Sequence, residues 1–463
     1  MTSPDVLHAI LRTDLAAFIQ KTFQAIDGSQ PYHPNWHVKV LADYLTKVRL
    51  GQIKRLIITL PPRSLKSVAA SVAFPAWVLG HDPTRRIMCA SYGRELSSKL
   101  GRDCRTVMQS DWYLKAFPNT RLNDNRSAAD DFETTANGFR FSTSVGGVMT
   151  GRGGSLLILD DVHKADEVLS DAKRLAVTEW FTSALLSRLD NKQNGAIVLI
   201  MQRLHVDDLA GYLLEQGGWV HLNLPAIAET DESFILFNGR KLGRRAGEAL
   251  NPVLEPLEVL EQTKLNMGSF WFSAQYQQQP VPAAGNLFKK EWFKTYDRAP
   301  EPDYSDQIFQ SWDTALTATQ GANYSVCTTW VRIDEEAYLI DVFRAKLELP
   351  DLKRTMLERQ QKFGAGSVLI EESVAGLGLI QQLRHEGKIH PIAIKPVGSK
   401  LDRAGAAAPI IEAGRVYIPR EAPWLGDFMN EVLAFPAAKN DDQVDSMTQF
   451  VNWMAKRQAF YCS

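Results

Sequence analysis

The sequence predicts two α/β domains, of which the first has a parallel sheet covered by helices. Apolar runs with strand character alternate with helical segments between about residues 55 and 225, and a second alternation begins near residue 305. A chain of 463 residues is long enough for two or more domains that each bury a core. Prolines interrupt the pattern in between, so we predict domains at 1–228 and 304–463, joined by a connector at 229–303.

The composition limits the possible classes of protein. Hydrophobic residues make up 45% and charged residues 23% of the chain, as in ordinary soluble globular proteins. The formal net charge of −1 excludes a global basic field, so nucleic acid would have to bind through local basic patches. No apolar run approaches the roughly 20 residues of a membrane helix, and no signal-peptide pattern is present. The four cysteines are scattered without zinc spacing, which predicts free thiols in a cytoplasmic protein.

The first candidate site follows the apolar run at residues 55–60. Two prolines end this run, and Lys66 and Ser67 precede a segment of small residues at 68–73 that predicts a helix. The order strand, loop, helix is that of a phosphate loop, in which the helix N-terminus offers free N–H groups to an anion. Lys66 would then reach the β- and γ-phosphates of ATP, and Ser67 would hold Mg²⁺.

Two observations bear on this loop. It departs from the usual glycine pattern at Leu60 and Leu65, so an ordinary loop before a helix is the alternative. A buried-strand run at residues 155–159 ends in Asp160 and Asp161, which is where the Mg²⁺-binding acid of P-loop ATPases stands. The second observation favours a P-loop ATPase domain with a helical N-terminal segment.

Two further loops adjoin these segments. Residues 31–37 form an aromatic-rich turn that would either stack on an adenine or fasten the core, and we favour the core role slightly. The glycine-rich loop at 145–154 permits close backbone approach to a ligand, and Arg152 within it suggests an anion-binding role. A flexible turn is the alternative for this second loop.

Acidic residues arise from separate elements of the second domain. Asp313 and Glu371 end predicted strands, and Asp442 and Asp445 lie on a late helix. Acids beside apolar runs are costly unless they are paired or bind metal, although each alone would also suit a surface charge or cap. Together they fit two divalent ions that hydrolyse a phosphodiester, as in the ribonuclease-H-like fold. We predict that Asp442 and Asp445 share an ion because they lie on one helix face, and that Asp441 caps the helix. The pair Asp441 and Asp445, four residues apart, is the alternative.

The order and spacing of these motifs resemble those of the large terminase subunit of tailed bacteriophages, the DNA-packaging motor. The resemblance extends from about residue 35 to about residue 454. It is carried by residues 61–67, 150–154, 159–161, 202–205, 273–280, 311–315, 370–371 with Gly376, and 441–445. In the connector, residues 273–280 are the most family-specific stretch.

The resemblance implies an N-terminal packaging ATPase and a C-terminal ribonuclease-H-like nuclease. Asp160 would be the Walker B acid, Arg63 would sense the γ-phosphate, and Gln202 with Arg203 would couple hydrolysis to domain motion. Asp161 stands where many relatives have a glutamate that polarises the attacking water. The implied nucleotide-binding residues are Pro62, Arg63, Ser64, Leu65, Lys66 and Ser67. The implied catalytic residues are Arg63, Asp160, Asp161, Asp313, Glu371 and Asp442, and the metal-binding residues are Ser67, Asp313, Glu371, Asp442 and Asp445.

The same resemblance implies cofactors, partners and a location. The cofactors are ATP and Mg²⁺, for which Mn²⁺ substitutes in the nuclease site. The partners are double-stranded DNA, the portal protein of the prohead, the small terminase subunit and further copies of the chain in a ring, with no membrane. The location is the cytoplasm of the infected or prophage-carrying bacterial host. The alternative function is a P-loop helicase or repair ATPase whose C-terminal domain does not cleave.

Overall fold

The computed structural model describes residues 4–461 except 30, 129, 148, 150, 281–286, 303–306, 315–323, 388, 390, 437 and 439. Among the residues discussed above, Val148, Thr150, Ala315 and Cys462 lie outside this part. The chain divides into two compact units, residues 1–263 with 271–281 and residues 264–270 with 282–463. The predicted connector at 229–303 is thereby distributed over both units. Within the described ranges, no helix is long and apolar enough to cross a membrane.

The first unit contains a large sheet, a separate hairpin and surrounding helices. Its strands are β1 Arg55–Thr59, β2 Arg86–Ser91, β3 Leu122–Ser127, β4 Asp131–Thr134, β5 Phe139–Ser144, β6 Leu156–Asp160, β7 Ala196–Met201, β8 Val220–Asn223, β9 Glu232–Ile235 and β10 Lys241–Arg244. Its helices are α1 Pro4–Thr13, α2 Leu15–Ile26, α3 Trp36–Arg49, α4 Phe74–His81, α5 Arg94–Gln109, α6 Asp111–Ala116, α7 Asp171–Glu179 and α8 Leu209–Gln216. Helix α9, Leu257–Gln275, is interrupted at Gly268, where φ is 80°. Among the described residues the large sheet has the order β3-β4-β5-β2-β6-β7-β1-β8, and β9 pairs with β10.

Most of the large sheet is parallel, as predicted. The strands β5, β2, β6, β7, β1 and β8 pair in parallel, and every residue of β6 and β7 is buried. Successive residues of these strands enter two different apolar clusters, one on each face, because helices cover both faces. At one edge β3 and β4 are antiparallel, which the sequence analysis did not predict. The polar sequence of β3 lacks the apolar alternation by which a strand is recognised.

The helix after the phosphate loop begins as a π-helix. It spans Val68–Ala73 and continues as α4. The predicted helix is therefore present at the expected position, but its first part has the wider turn of a π-helix. Pro75 lies in the first turn of α4 and has no N–H, which removes the usual bond to the carbonyl of Ser71 four residues earlier. The fully buried Arg140 of β5 donates to this carbonyl instead, with its Nη2 atom 3.0 Å away.

The second unit is a mixed sheet between helical layers. Its strands are β11 Lys294–Tyr296, β12 Ile308–Asp313, β13 Ser325–Ile333, β14 Glu336–Ala345, β15 Ser367–Glu371, β16 Ile392–Ile394 and β17 Val416–Pro419. Its helices are α10 Leu349–Phe363, α11 Val374–Glu386, α12 Lys400–Glu412, α13 Leu425–Ala434 and α14 Asp442–Tyr461. The described strands have the order β11-β17-β14-β13-β12-β15-β16, with β12, β13 and β14 antiparallel and β15 and β16 parallel to β12.

Alternation along β12 separates the two faces of this sheet. Ser311 faces α14, because its Oγ donates to the carbonyl of Ser446 at 2.8 Å. Trp312 faces the other way and packs in a cluster with Leu352 and Met356 of α10. Asp313 therefore shares the α14 face, which is the face that carries the candidate nuclease site. Helices α12 and α13 and strand β17 were not predicted from the sequence.

Candidate active sites

The phosphate loop keeps a strained backbone where the usual pattern has glycine. Leu65 has φ 61° and Arg63 has φ 56°, both in the left-handed region that side chains other than glycine disfavour. Such conformations cost on the order of 1–3 kcal/mol each and collect at ligand-binding sites. The Ser64 hydroxyl closes the loop by donating to the carbonyl of Pro61 at 2.5 Å. The leucine therefore does not prevent the loop from adopting a glycine-type bend.

The structure brings the loop and the acidic strand together. Lys66 is buried, and its Nζ lies 3.1 Å from Oδ1 of Asp161. Ser67 donates to Oδ1 of Asp160 at 3.0 Å, and Ser71 donates to Oδ2 of the same carboxylate at 2.6 Å. The sequence analysis missed the role of Ser71, although its spacing of four residues from Ser67 places both hydroxyls on one helix face. Both oxygens of Asp160 are thus oriented by hydroxyl groups.

The charge at this site favours a cation. Burial and the neighbouring Asp161 raise the pKa of Asp160 to about 7, against the opposing effects of Ser71, Lys66 and Ser67. Two adjacent carboxylates in a buried place raise this pKa, and a bound cation would offset their charge. Carboxylate and hydroxyl oxygens are ligands that Mg²⁺ prefers. The residues present therefore fit a magnesium ion with a nucleotide phosphate.

Asp161 also connects the site to the end of β7. Its φ is 45°, and its Oδ1 accepts from the backbone N–H of Gln202 at 3.1 Å. The next residue, Arg203, is buried and pairs with both oxygens of Asp208 at 3.0 Å. The backbone N–H of Arg203 donates to Oε1 of Gln278 at 2.9 Å. The segment predicted to transmit hydrolysis is thus bonded to the site on one side and to residue 278 on the other.

A cavity of about 750 Å³ opens beside the loop. Pro62, Arg63, Lys66 and further loop residues line one side of it; the other side is formed by Phe23, Asp27, Pro31, Tyr32, His33, His37, Asn251 and Leu254. The aromatic turn at residues 31–37 therefore contributes side chains both to the cavity and to the packing against the core. Tyr32 lines the cavity next to Phe23, with the ring centroids 5.8 Å apart. Trp36 instead stacks on Phe234, and both rings pack against the core.

Arg152 of the glycine-rich loop has a protein partner. Its two terminal nitrogens donate to the two oxygens of Asp131, each at 2.6 Å. Its guanidinium also lies 4.9 Å from the ring centroid of Phe141. This pairing gives Arg152 a structural role on β4 and β5 in place of the anion-binding role suggested by the sequence.

The second site gathers the acids on one face of the second unit. Asp313 ends β12 and Glu371 ends β15, while Asp442 and Asp445 are buried in the first turn of α14. Burial raises the pKa of Asp313 well above its usual value, and Asp445, Glu371 and Asp442 raise it further. Asp441 precedes α14, and its carboxylate accepts from Lys400.

Two basic residues of α12 neutralise these acids. Nζ of Lys400 lies 2.6 Å from Oδ2 of Asp445 and 2.6 Å from Oδ1 of Asp441. Nη2 of Arg403 lies 2.7 Å from Oδ1 of Asp445 and 3.5 Å from Oε2 of Glu371. The sequence analysis missed both because it did not predict α12; the pair's i, i+3 spacing at a helix start was the available signal.

The acidic side chains are suitable ligands for a divalent metal ion. In this structure they surround the basic side chains of Lys400 and Arg403. Among the described residues, no group of three or more His, Cys, Asp and Glu side chains is placed to hold a metal ion. The neighbouring carboxylates of Asp445, Glu371 and Asp442 nevertheless disfavour the ionised form of Asp313. A divalent cation would relieve this repulsion. Their oxygens are hard ligands of the kind that Mg²⁺ and Mn²⁺ bind. Metal binding would therefore compete with Lys400 and Arg403 for Asp445.

Comparison with known families identifies the second unit. Residues 310–453 match the model of the terminase RNaseH-like domain. The second unit contains a terminase RNaseH-like domain. The matched range includes Asp313, Glu371, Asp442 and Asp445. The match does not favour the alternative of a helicase or repair ATPase with a non-cleaving C-terminal domain.

Solved terminase structures resemble the chain over most of its length or over its C-terminal part. The large terminase of a thermophilic bacteriophage is 14% identical, with 89% of this chain and 98% of that chain covered and a TM-score of 0.50. The large terminase of bacteriophage HK97 is 12% identical, with coverages of 98% and 100% and a TM-score of 0.38. The large terminase nuclease of thermophilic phage G20c with bound magnesium is 17% identical, with coverages of 37% and 98% and a TM-score of 0.29. No curated protein sequence matches the chain. The predicted resemblance is confirmed: the chain has the fold of a large terminase.

Proposed function

We propose that this protein is a phage DNA-packaging motor subunit that hydrolyses ATP to translocate double-stranded DNA and cuts concatemeric DNA with a metal-dependent nuclease. The observation that carries the proposal is the presence of two separate charged sites in one terminase fold. One site is the Lys66, Ser67 and Asp160 constellation of the first unit. The other is the group of acids around Asp313 in the RNaseH-like domain.

In the first site each residue would act on the nucleotide. Lys66 places a buried positive charge where the β- and γ-phosphates would lie, and Ser67 with Asp160 would hold Mg²⁺. Bound magnesium would neutralise charge that develops on the phosphate oxygens. Asp161 is poised by Lys66 and by the N–H of Gln202 to orient the attacking water. Arg63 lines the cavity and lowers the pKa of Glu255, which burial raises, so its positive charge lies within reach of the same space.

In the second site the acidic side chains would bind the metal ions, and neighbouring residues would orient these side chains. Asp313, Glu371, Asp442 and Asp445 would bind divalent ions, which activate a water and stabilise the leaving oxygen of the phosphodiester. Asp442 is oriented by the backbone N–H of Tyr324, whose nitrogen lies 3.4 Å from Oδ2. Lys400 and Arg403 pair with Asp445 in the absence of metal.

The partners and the location follow from the packaging role. Double-stranded DNA would be both the translocated polymer and the substrate of cleavage. The packaging complex would comprise the portal protein of the prohead, the small terminase subunit and a ring of several copies of this chain. It would assemble in the cytoplasm of the infected or prophage-carrying bacterial host.

A pair of variants tests the two activities separately. Lys66→Ala should abolish ATP hydrolysis and leave metal-dependent cleavage of plasmid DNA largely intact, because the lysine belongs to the first site alone. Asp313→Asn should do the opposite, since an amide keeps the shape but loses the charge that holds metal. Asp351→Asn, an exposed acid in the first turn of α10, serves as the matched control.

Circular dichroism and thermal unfolding would establish that all three variants are folded. ATP hydrolysis at the parent rate by Lys66→Ala would contradict the nucleotide site. Full cleavage by Asp313→Asn in Mg²⁺ or Mn²⁺ would contradict the nuclease site.

A further inference from the structure

The sheet face that carries the acids also carries a basic residue with no role in the sites above. Arg344 of β14 pairs in register with Val326 of β13, and Val326 pairs with Asp313 of β12. Residues that are directly opposite on neighbouring strands point to the same face of a sheet. Arg344 and Asp313 therefore both point toward α14. Neighbouring strands lie roughly 4.8 Å apart, so the two backbones are roughly 10 Å apart.

One aromatic residue, Tyr324, contacts both Arg344 and Asp442. Its guanidinium is 4.0 Å from the ring centroid of Tyr324, and Nζ of Lys346 is 5.0 Å from the same centroid. The backbone N–H of Tyr324 donates to Oδ2 of Asp442. Lys346 is exposed at the end of β14. Two positive charges thus flank the acidic site on the side away from Glu371, which lies beyond β12 on β15.

The hydrogen-bonding capacity of Arg344 is largely unused. Its Nη1 lies 3.5 Å from Oε2 of Glu431, and the two oxygens of Glu431 already accept from Gln443 at 2.6 and 2.7 Å. Its Nε and Nη2 atoms are buried and have no hydrogen-bond partner within the described part of the chain. Buried donors without an acceptor are unfavourable, and a guanidinium presents its N–H groups as a fork that matches two oxygens of one anion. The Arg344 side chain as a whole is 24% exposed, so an anion outside the protein can reach its guanidinium.

We propose that Arg344, with Lys346 beside it, binds a backbone phosphate of the DNA duplex next to the scissile phosphate. The inference rests on the proposed nuclease function and names a binding residue for its substrate. Phosphates of one strand recur about every 3.4 Å along the duplex axis, so an offset of roughly 10 Å means that Arg344 would bind a different phosphate from the one that is cut. A contact of this kind positions the duplex without selecting its sequence, because it touches no base.

The test is binding of a short DNA duplex by the full chain in EDTA, measured by fluorescence anisotropy from about 50 to about 200 mM salt. Arg344→Ala should weaken binding roughly tenfold, as expected for loss of a charge-assisted hydrogen bond. It should also reduce the slope of log affinity against log salt by about 1, because one fewer phosphate is neutralised. Arg344→Lys should keep the slope, because it retains the positive charge.

Arg354→Ala is the matched control. Arg354 is an exposed arginine of α10, on the opposite face of the same sheet, and it pairs with Asp351. Its removal should leave both the affinity and the salt slope at the parent values. Lys346→Ala provides a second variant at an exposed position, and it should also reduce the slope by about 1.

Parent affinity and parent slope in both Arg344→Ala and Lys346→Ala would overturn the proposal and leave Arg344 as a structural partner of Glu431. The same result would follow if the site took only free phosphate. Failure of the proposed function is recognised separately: the parent chain would then bind the duplex and show no metal-dependent cleavage, whatever its salt slope.

Discussion

Burial of single histidines makes the first unit sensitive to acid. His163 is buried, and its Nε2 accepts the backbone N–H of Leu209 at 2.9 Å. Burial lowers the pKa of His163 to about 4, and it lowers the pKa of the buried His37 to about 4 as well. Because both pKa values lie below the ordinary value of 6.5, the unfolded chain binds more protons than the folded chain between about pH 4 and pH 6.5. The free energy of unfolding therefore decreases as the pH falls from 6.5 toward 4.

Replacing His163 should reduce this acid sensitivity. His163→Gln keeps an acceptor for Leu209 and cannot titrate, so we expect less than about 1 kcal/mol of destabilisation at pH 8. Between pH 7 and pH 5 the parent should lose about 2 kcal/mol more than the variant. Urea unfolding at these pH values measures both quantities. An equal loss in parent and variant would show that His163 is not protonated on unfolding in this range.

The acids of α14 should differ in their importance for metal binding. Asp445 is buried and held by Lys400 and Arg403, and Asp442 is buried beside Tyr324. We expect Asp442→Asn and Asp445→Asn to lose most of the cleavage activity and of the Mn²⁺ affinity. Asp441→Asn should change both much less, because asparagine caps a helix about as well as aspartate.

Calorimetric titration with Mn²⁺ and plasmid cleavage measure the three variants side by side. Loss of metal binding in Asp441→Asn, with Asp442→Asn behaving as the parent, would reverse this assignment. Thermal unfolding of Asp445→Asn is needed beside these assays, because an amide leaves the two basic residues of α12 less well neutralised.

Close packing between α11 and the end of β15 determines where Glu371 lies. The backbone N–H of Gly376 donates to the Ser373 hydroxyl at 3.1 Å. A Cβ atom at position 376 would lie 1.9 Å from the carbonyl oxygen of Glu371. A side chain at this position would therefore displace the strand end that carries the acid.

Gly376→Ala should destabilise the second unit by about 1–3 kcal/mol and reduce cleavage more than metal-free DNA binding. Gly378 lies in the same helix with no neighbouring atom within 4 Å of an added Cβ. Gly378→Ala should therefore stabilise the unit by about 0.5–1 kcal/mol and leave cleavage unchanged. Chemical unfolding and plasmid cleavage compare the two variants. Equal stability and activity of both would contradict a positioning role for the packing at Gly376.

The charge of the whole molecule limits how it can bind DNA. The formal net charge is −1, so attraction to the duplex depends on local groups. We expect weak binding whose affinity falls about tenfold or more between about 50 and about 200 mM salt, because bound phosphates release counterions. Anisotropy measures the affinity, and unchanged thermal unfolding over the same salt range excludes denaturation. An affinity independent of salt would exclude phosphate contacts as the basis of binding.

Local sequence patterns were sufficient to predict the central strands and the residues that end them. Apolar runs predicted β1, β6 and β12, because a buried strand must be apolar along its length. The residues that follow or end such runs, Lys66, Asp160 and Asp313, were recognisable because charge is costly beside buried strands unless it has a function. The same reasoning located Glu371 at the end of β15.

Several features depended on contacts between residues far apart in the sequence. Arg403 meets Asp445 only because α12 packs beside α14, and no short-range pattern encodes that pairing. Ser71 reaches Asp160 because the helix after the phosphate loop packs beside β6. The position of Arg344 relative to Asp313 required the pairing of three strands.

The sequence by itself determined which chemical groups the chain carries and where its apolar runs lie, because hydrophobic periodicity and residue type are local properties. Only the tertiary structure decided which of those groups meet. Strand register placed Arg344 on the face of Asp313, and helix packing gave Asp445 two basic neighbours in place of solvent. Register and packing are set by the free energy of the whole chain, so they cannot be predicted from any single segment of the sequence.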